Sequence, residues 1–587
     1  MHADKSTHAG AREFAADTAV VAAAQLLLKL RGLVTLPLVV KVLGTAEYGV
    51  WMQTLALVDF AGSLVGLNLY HPLVRFLAGN TERGRSVYST LLTATLAASA
   101  AGGILLCVAA EGVSRQLLGE GGHAWIVRVG GLLLVCYNVR QLNLNAYRAA
   151  GRLKQRSLFE LISTFGELVG ISLLLWRGYG LLAVFLFMAI WELAFAAALT
   201  AHVSRFVGWG RLEGKILSGA LRYALPLLPA GLSIWMLDRG DRLVIGYYLG
   251  AKSVGIYSAN YAFASLLMLF QTPLQITLLP KVSALWDARR DAALRYVSVS
   301  NKLFLTLAVP FVVCVPVVAR PVLARLGNDE IGAASGALTL LVSAGVMLWG
   351  VSVMQSQIFY GARRTSPVGV VTVAGALLNL LLNVLLVPAW GVGGAAFATL
   401  VSYAAACAAL YALGRGIARI DFYWSHLAKC APASLPTWAV LRALNQSARP
   451  VALAAAVCAA GATYLASLWL LRAVAPAELG LLKGFLSRRV PEVESAAAAA
   501  AAPAEGRQIQ EGGGLGHGRH DLRRRDLRAR RRRALRARPQ PHAPAATHEA
   551  QPLAPRRAPR GESSVKTVVT PRVAQTHRFA RRARDRK

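Results

Sequence analysis

Charge is scarce in this chain. Asp, Glu, Lys and Arg make up 16% of its 587 residues, well below the roughly 25% of an ordinary soluble domain. The shortfall is largest for one sign, with 29 acids against 64 Lys and Arg. Cysteine is also thin: Cys107, Cys136, Cys314, Cys407, Cys430 and Cys458 stand singly, mostly in apolar runs, with no CxxC pair or nearby His cluster. That spacing argues against a disulfide framework or a metal site and for small core residues. No GxxxxGK[ST] or other phosphate loop occurs, so nothing points to direct ATP driving by this chain. The polar start MHADKSTHAGAREFAAD lacks a signal-peptide pattern, and the apolar run behind it is too long for one.

What is abundant is apolar sequence, at 55% of residues with a mean hydropathy of +0.46. Runs of the roughly 20 residues that cross a bilayer recur with short polar gaps. They fall at 17–40, 48–77, 86–110, 125–148, 157–176 and 181–203, then at 221–249, 254–285, 297–319, 331–360, 367–387 and 392–413. A weaker pair follows at 427–444 and 451–474. The expectation is an all-α polytopic membrane protein with about 14 transmembrane helices. Roughly half of the +35 net charge lies beyond Gly506. There an Arg-, Ala- and Pro-rich tail has too little apolar surface to fold and no aromatic platform for nucleic acid. It is expected to be disordered beside an anionic leaflet.

Basic residues alternate between the connections. Arg83 and Arg85; Arg152, Lys154 and Arg156; Arg205, Arg211 and Lys215; Lys281, Arg289, Arg290 and Arg295; Arg363 and Arg364; and Arg415 and Arg419 all fall in even-numbered gaps. The positive-inside rule then puts both termini and these gaps in the cytoplasm. An internal repeat agrees. LGTAEYGVW from Leu43 matches LGAKSVGIY from Leu249, GRLKQRS from Gly151 parallels GARRTSP from Gly361, and GYGLLA parallels AWGVGGAA, all about 206 to 211 residues apart. Helices 1–6 therefore duplicate helices 7–12. The halves should be related by an axis along the membrane normal and should rock about a central cleft. The expected layout is a cytoplasmic segment 1–15, bundles 16–210 and 211–420, two added helices 421–489 and the cytoplasmic tail 490–587.

The segments LVTLPLVVKVLGTAEYGVW, LRYALPLLPAGLSIWMLDRGDRLVIGYYLGAKSVGIYSANYAF and LNLLLNVLLVPAWGVGGAAFATLVSY resemble polysaccharide repeat-unit flippases. These belong to the multidrug, oligosaccharidyl-lipid and polysaccharide exporter superfamily. The resemblance covers about residues 11–489. It implies a V-shaped two-bundle fold in the cell's inner (cytoplasmic) membrane. It also implies movement of an undecaprenyl-diphosphate-linked oligosaccharide from inner to outer leaflet for surface polysaccharide biosynthesis. The partners it implies are that substrate, membrane lipid and polysaccharide polymerase or other assembly proteins. No cofactor or metal is expected.

A charge at the bilayer centre costs about 2.5 to 3.5 kcal/mol, so such residues should face a wet cleft or a partner. Lys29 and Arg31 lie on separate faces of helix 1, and the repeat puts Arg31 at the level of Asp238 and Arg239. In MLDRGDRLV, Asp238 and Arg242 are four apart with the acid first, which suits a helical pair. Self-neutralisation is one reading of this cluster; service to an anionic headgroup, with one arginine available, is the other. Asn138, Gln141, Asn145 and Arg148 share a face of helix 4, as Glu160, Thr164 and Glu167 do on helix 5. The substrate candidates are Arg31, Arg75, Asn138, Gln141, Asn145, Arg148, Arg239, Arg242, Asn260, Gln271 and Gln275. The ion-coupling candidates are Asp59, Glu167, Asp238 and Asp241, with Asp59 equally able to pair with Arg31. Asn379 and Asn383 are expected to hydrogen-bond between helices. Pro37, Pro226, Pro229, Pro273 and Pro310 mark bends.

Rival functions share this fold. A drug or organic-cation antiporter should have an acidic cleft, whereas the arginines favour an anionic cargo; a peptidoglycan-precursor lipid flippase fits the charge equally well. A membrane glycosyltransferase, polymerase or ligase would need a sizeable outward loop, and the outward gaps are about 20 residues or fewer. The chain is therefore expected not to be an enzyme.

Overall fold

The computed structural model describes residues 27–471 except 29–30, 33, 78–80, 120–121, 419–423 and 445–449. The segment 1–15, Lys29 and the tail 490–587 lie outside the described residues. So does the whole of a second contact unit, Ala502–Lys587, whereas every described residue belongs to the first, Met1–Ala501.

The described residues are helical and contain no strand. In order the elements are α1 Val34–Leu43, α2 Thr45–Val65, α3 Tyr70–Phe76, α4 Glu82–Val108, α5 Ala124–Ala149, α6 Leu153–Trp176 and α7 Leu181–Val207. Then come α8 Gly214–Ala224, α9 Leu228–Trp235, α10 Asp241–Ala264, α11 Met268–Leu285, α12 Arg290–Leu326, α13 Asp329–Gly361, α14 Ser366–Gly414, α15 Trp424–Leu444 and α16 Pro450–Leu470. Two of these fold back on themselves: Gly250 interrupts α10 with φ 78°, and Gly391 interrupts α14 with φ 58°. Counted as passes, with α2–α3 one bent span, α8 to Gly250 one interrupted span, the rest of α10 with α11 the next, and α14 two passes divided at Gly391, the described helices number fourteen, as the apolar runs indicate.

Two runs that look continuous in sequence are broken in space, each for a local reason. The run 48–77 bends by 49° between α2 and α3, where Leu67 and Asn68 adopt φ of 49° and 53°. Run 221–249 passes through a tighter 3-10 turn at Leu225–Leu227, where Pro226 and Pro229 withdraw two backbone donors. It then widens into a π-turn at Met236–Gly240.

Turns recur in the two halves at matching or neighbouring places. Gly44 (φ 92°) and Gly250 (φ 78°) occupy the same place in the twin LG motifs, while Gly151 (φ 72°) and Arg363 (φ 57°), like Gly178 (φ 77°) and Gly391 (φ 58°), mark comparable turns two residues out of the sequence register.

The apolar cores show where the halves join. One cluster runs from Leu36, Tyr48 and Trp51 through Phe185 to Ala251, Val315, Leu323 and Ile331, and so includes both halves at the end that carries Gly44 and Gly250. At the opposite end, where the basic connections lie, the clusters separate. Leu73, Tyr88, Tyr147 and Val203 form one that also takes in Ala220 and Ala224 of α8, and Leu278, Trp286, Val297 and Ile358 form another within the second half. The halves thus share one continuous core at the Gly44 end, the joined end, whereas at the basic end they meet through α8, whose Ala220 and Ala224 pack on the first half and whose Tyr223 packs on Arg75 and Phe76. Helices α15 and α16 lean on α12, where Tyr464 donates to the Thr306 carbonyl at 2.8 Å and His426 Nε2 lies 2.8 Å from Thr306 Oγ1.

Candidate functional site

A cavity of about 570 Å³ lies between the halves. It runs from Trp51 and Met52 near the joined end to Asn68 and Tyr70 toward the end that carries the basic connections. Its charged lining is Arg31, Arg140, Arg239 and Arg242 with Asp59 and Asp238; Asn138, Gln141, Asn68 and Ser258 supply neutral polar groups. Tyr137, Trp235 and Tyr261 supply aromatic faces.

The arginines are held by carboxylates, and the pairing corrects the sequence expectation in two places. Arg242 does not reach the Asp238 carboxylate. Its Nη1 donates to the Asp238 carbonyl oxygen at 2.7 Å and to Asp241 Oδ1 at 3.1 Å, and its guanidinium lies 4.7 Å from the Tyr261 ring centre. The π-turn at Met236–Gly240 is the reason: its wider winding removes the i, i+4 geometry on which that pairing depends. Asp59, for its part, pairs with Arg239 of the other half, and Asp238 lies 3.4 Å from the same guanidinium. Arg31 instead donates to Glu167 at 2.9 Å.

These pairs differ in depth. Asp241 and Arg242 are almost wholly enclosed, and Tyr257 donates to the second Asp241 oxygen at 2.5 Å, completing a structural cluster. Arg239 is 43% exposed, Asp59 33% and Asp238 51%, so this trio faces the cavity. The answer to the charge cluster in MLDRGDRLV is therefore divided: Asp241 and Arg242 neutralise one another in the wall, while Arg239 faces the space.

The remaining candidates separate clearly. Asn138 and Gln141 line the cavity, although the Asn138 amide already donates to Ser99 Oγ at 2.9 Å and to the Gly62 carbonyl at 3.2 Å. Asn145, Arg148, Arg75, Asn260, Gln271 and Gln275 are not among its lining residues. Asn145 is buried and donates to the Gln141 carbonyl; Arg75 lies 4.8 Å from the Tyr223 ring centre. Asn260 donates to Ile256, and Gln271 donates to Gln275. Asn379 and Asn383 bond each other at 3.1 Å on α14 rather than bridging two helices.

Arg140 and Glu192 were not among the sequence candidates. Glu192, 1% exposed on α7, lies 2.9 Å from Arg140 Nε on α5, and Ser163 Oγ donates to its other oxygen at 3.4 Å. The Arg140 N–H does not point along that contact, so charge rather than a directed hydrogen bond holds the pair. Each is a lone charge within an apolar run, the signal that identified Arg31 and Asp59. Among the described residues no group of three or more His, Cys, Asp or Glu is placed to hold a metal.

A polar, arginine-lined space enclosed by two repeated helical bundles defines a membrane transporter rather than a catalyst. Residues 38–329 match a family described as polysaccharide biosynthesis protein. Two similar curated relatives are the probable flippase AglR of Haloferax volcanii, 26% identical with 62% of this chain and 75% of that one covered, and the succinoglycan biosynthesis transport protein ExoT of Rhizobium meliloti, 26% identical with 40% and 46% covered. Among solved structures, an inward closed form of the lipid II flippase MurJ superposes with a TM-score of 0.64, at 14% identity over 76% of this chain and 97% of that one. An inward-facing multidrug MATE transporter follows at 0.53, with 16% identity over 67% and 97%. At such identities the structural likeness is one of fold. The chain is thus similar, over about half its length, to the polysaccharide biosynthesis protein family and to relatives named as glycan flippases, on a fold shared with MurJ and MATE transporters.

Proposed function

We propose that this protein moves an undecaprenyl-diphosphate-linked oligosaccharide from the inner to the outer leaflet of the cytoplasmic membrane for surface polysaccharide assembly. The observation that carries this reading is the pair of partly exposed arginines in the cavity: Arg239 and Arg31 present guanidiniums to the space, each held by a carboxylate that an anionic cargo can displace. It disfavours the organic-cation antiporter. Arg239 and Arg31 are the arginines for the diphosphate, exchanging Asp59 and Glu167 for phosphate oxygens as cargo enters. Gln141 and Asn68 offer donors and acceptors to sugar hydroxyls. The freed Asp59 and Glu167 are then the carboxylates for a coupling ion. The bundles 16–210 and 211–420 rock about the cavity, and handover to a polymerase or another assembly protein follows release. The test is surface-polysaccharide output in a strain lacking the gene. Restoration by this chain supports the reading, and growth rescue of a peptidoglycan-precursor flippase mutant without glycan output opposes it.

Both termini and the basic connections are proposed to face the cytoplasm. In a cysteine-free background, an impermeant thiol reagent on intact cells is expected to label Tyr179→Cys and to spare Arg85→Cys and Arg364→Cys. Tyr179 is the better outer reporter than its neighbour Gly178, whose φ of 77° would strain any side chain. Labelling of Arg364→Cys with Tyr179→Cys protected contradicts the orientation.

A further inference from the structure

The two halves meet through glycine at the joined end. A Cβ placed on Gly49 of α2 would lie 1.7 Å from the Ala251 carbonyl oxygen, and one placed on Gly255 of α10 would lie 2.3 Å from the Thr45 carbonyl oxygen. Neither position admits a side chain unless the helices part. Gly49 and Gly255 hold the same place in LGTAEYGVW and LGAKSVGIY, so each repeat packs its glycine against the turn that opens the other. Asn328 adds a tie, donating to Thr45 Oγ1 at 2.7 Å.

One helical turn deeper the seam changes character. Gln53 lies in the notch left by Gly246, whose Cβ would come within 1.6 Å of the Gln53 amide nitrogen. The side chain is fully buried, and neither Nε2 nor Oε1 has a hydrogen-bond partner. Ser258, which lines the cavity, likewise carries a buried oxygen without a hydrogen-bond partner. A buried amide with no partner loses the hydrogen bonds that water would give it. Opening the seam restores them. Tight backbone contact at Gly49 and Gly255 therefore opposes an unmet hydrogen-bonding demand immediately beneath it.

We propose that the Gly49–Gly255 seam is the gate through which cargo leaves, and that Gln53 keeps it poised by making the closed state lack hydrogen bonds that the open state regains. The cargo's identity rests on the flippase reading above; the gate's position and bias do not. The test therefore uses a strain that makes no lipid-linked glycan, with a cysteine-free protein carrying Ser265→Cys at the cavity wall, a partly buried lining residue outside the seam. An impermeant maleimide is applied from the Tyr179 side on intact cells and from the basic side on inverted vesicles. Gln53→Met, which fills the notch and removes both orphaned atoms, is expected to slow labelling from the Tyr179 side by about tenfold and to leave basic-side labelling intact. Gly49→Val is expected to speed Tyr179-side labelling by a similar factor, with Gly255→Ala as the milder variant if valine prevents membrane insertion. Labelling of Gln53→Met at or above the parental rate overturns the proposal. So does an unchanged rate in a glycine variant present at parental abundance. A gate that behaves as proposed in a protein that fails to restore glycan output leaves the gate standing and removes the cargo.

Discussion

Arg239→Gln is expected to cut surface-polysaccharide output to about a tenth of wild type or less while membrane abundance stays near normal. Arg239 is half-exposed to the cavity and held by Asp59 and Asp238, both also partly exposed, so folding depends little on it. A hydrogen bond to a charged group is worth about 1.5–3 kcal/mol, and about 1.4 kcal/mol is a factor of ten, so losing one such contact to a phosphate accounts for the fall. Arg242→Gln should behave differently. It strips the buried Asp241 of its cation, a change that costs about 3–5 kcal/mol in a buried pair, and it should appear as lost protein rather than lost turnover. Asp238→Asn, at a half-exposed site, should keep most output. Immunoblotting of membranes beside the glycan assay separates the three. Equal output from Arg239→Gln and wild type would remove Arg239 from the cargo site.

The second large effect is expected at the buried pair Arg140–Glu192. Glu192→Ala leaves the Arg140 guanidinium without its closest anion in the wall of the first half, at about 3–5 kcal/mol, and membrane abundance should collapse. The double variant Arg140→Met, Glu192→Leu removes both charges and should recover abundance, because an apolar pair of similar volume commonly substitutes for a buried ion pair. Output should remain low in the double variant, since Arg140 also lines the cavity. Recovery of abundance and output together would make the pair purely structural.

These contrasts also show which features a linear reading could reach. Fourteen passes are legible because apolar length is a one-dimensional signal, and the Leu-Gly motifs mark the turns because Gly44 and Gly250 need positive φ. Arg31, Asp59, Asn138, Gln141, Asp238, Arg239 and Arg242 line the cavity as intramembrane polar residues should. The partner of each is another matter. Helical arithmetic pairs Asp238 with Arg242 only if the helix is regular, and a π-turn occupies that stretch. The helix 4 stripe is correct as a face, yet Asn145 and Arg148 do not line the cavity. Pairings between distant residues, such as Asp59 with Arg239 or Gln53 against Gly246, depend on how the bundles dock, and no local pattern encodes them.

The most direct test of the central claim is the lipid pool that builds up on the inner leaflet when this protein is depleted, resolved by leaflet-selective labelling and mass spectrometry. An undecaprenyl-diphosphate oligosaccharide that accumulates there and disappears on re-expression is the predicted result. No change in that pool, or accumulation of the peptidoglycan precursor in its place, would contradict the account.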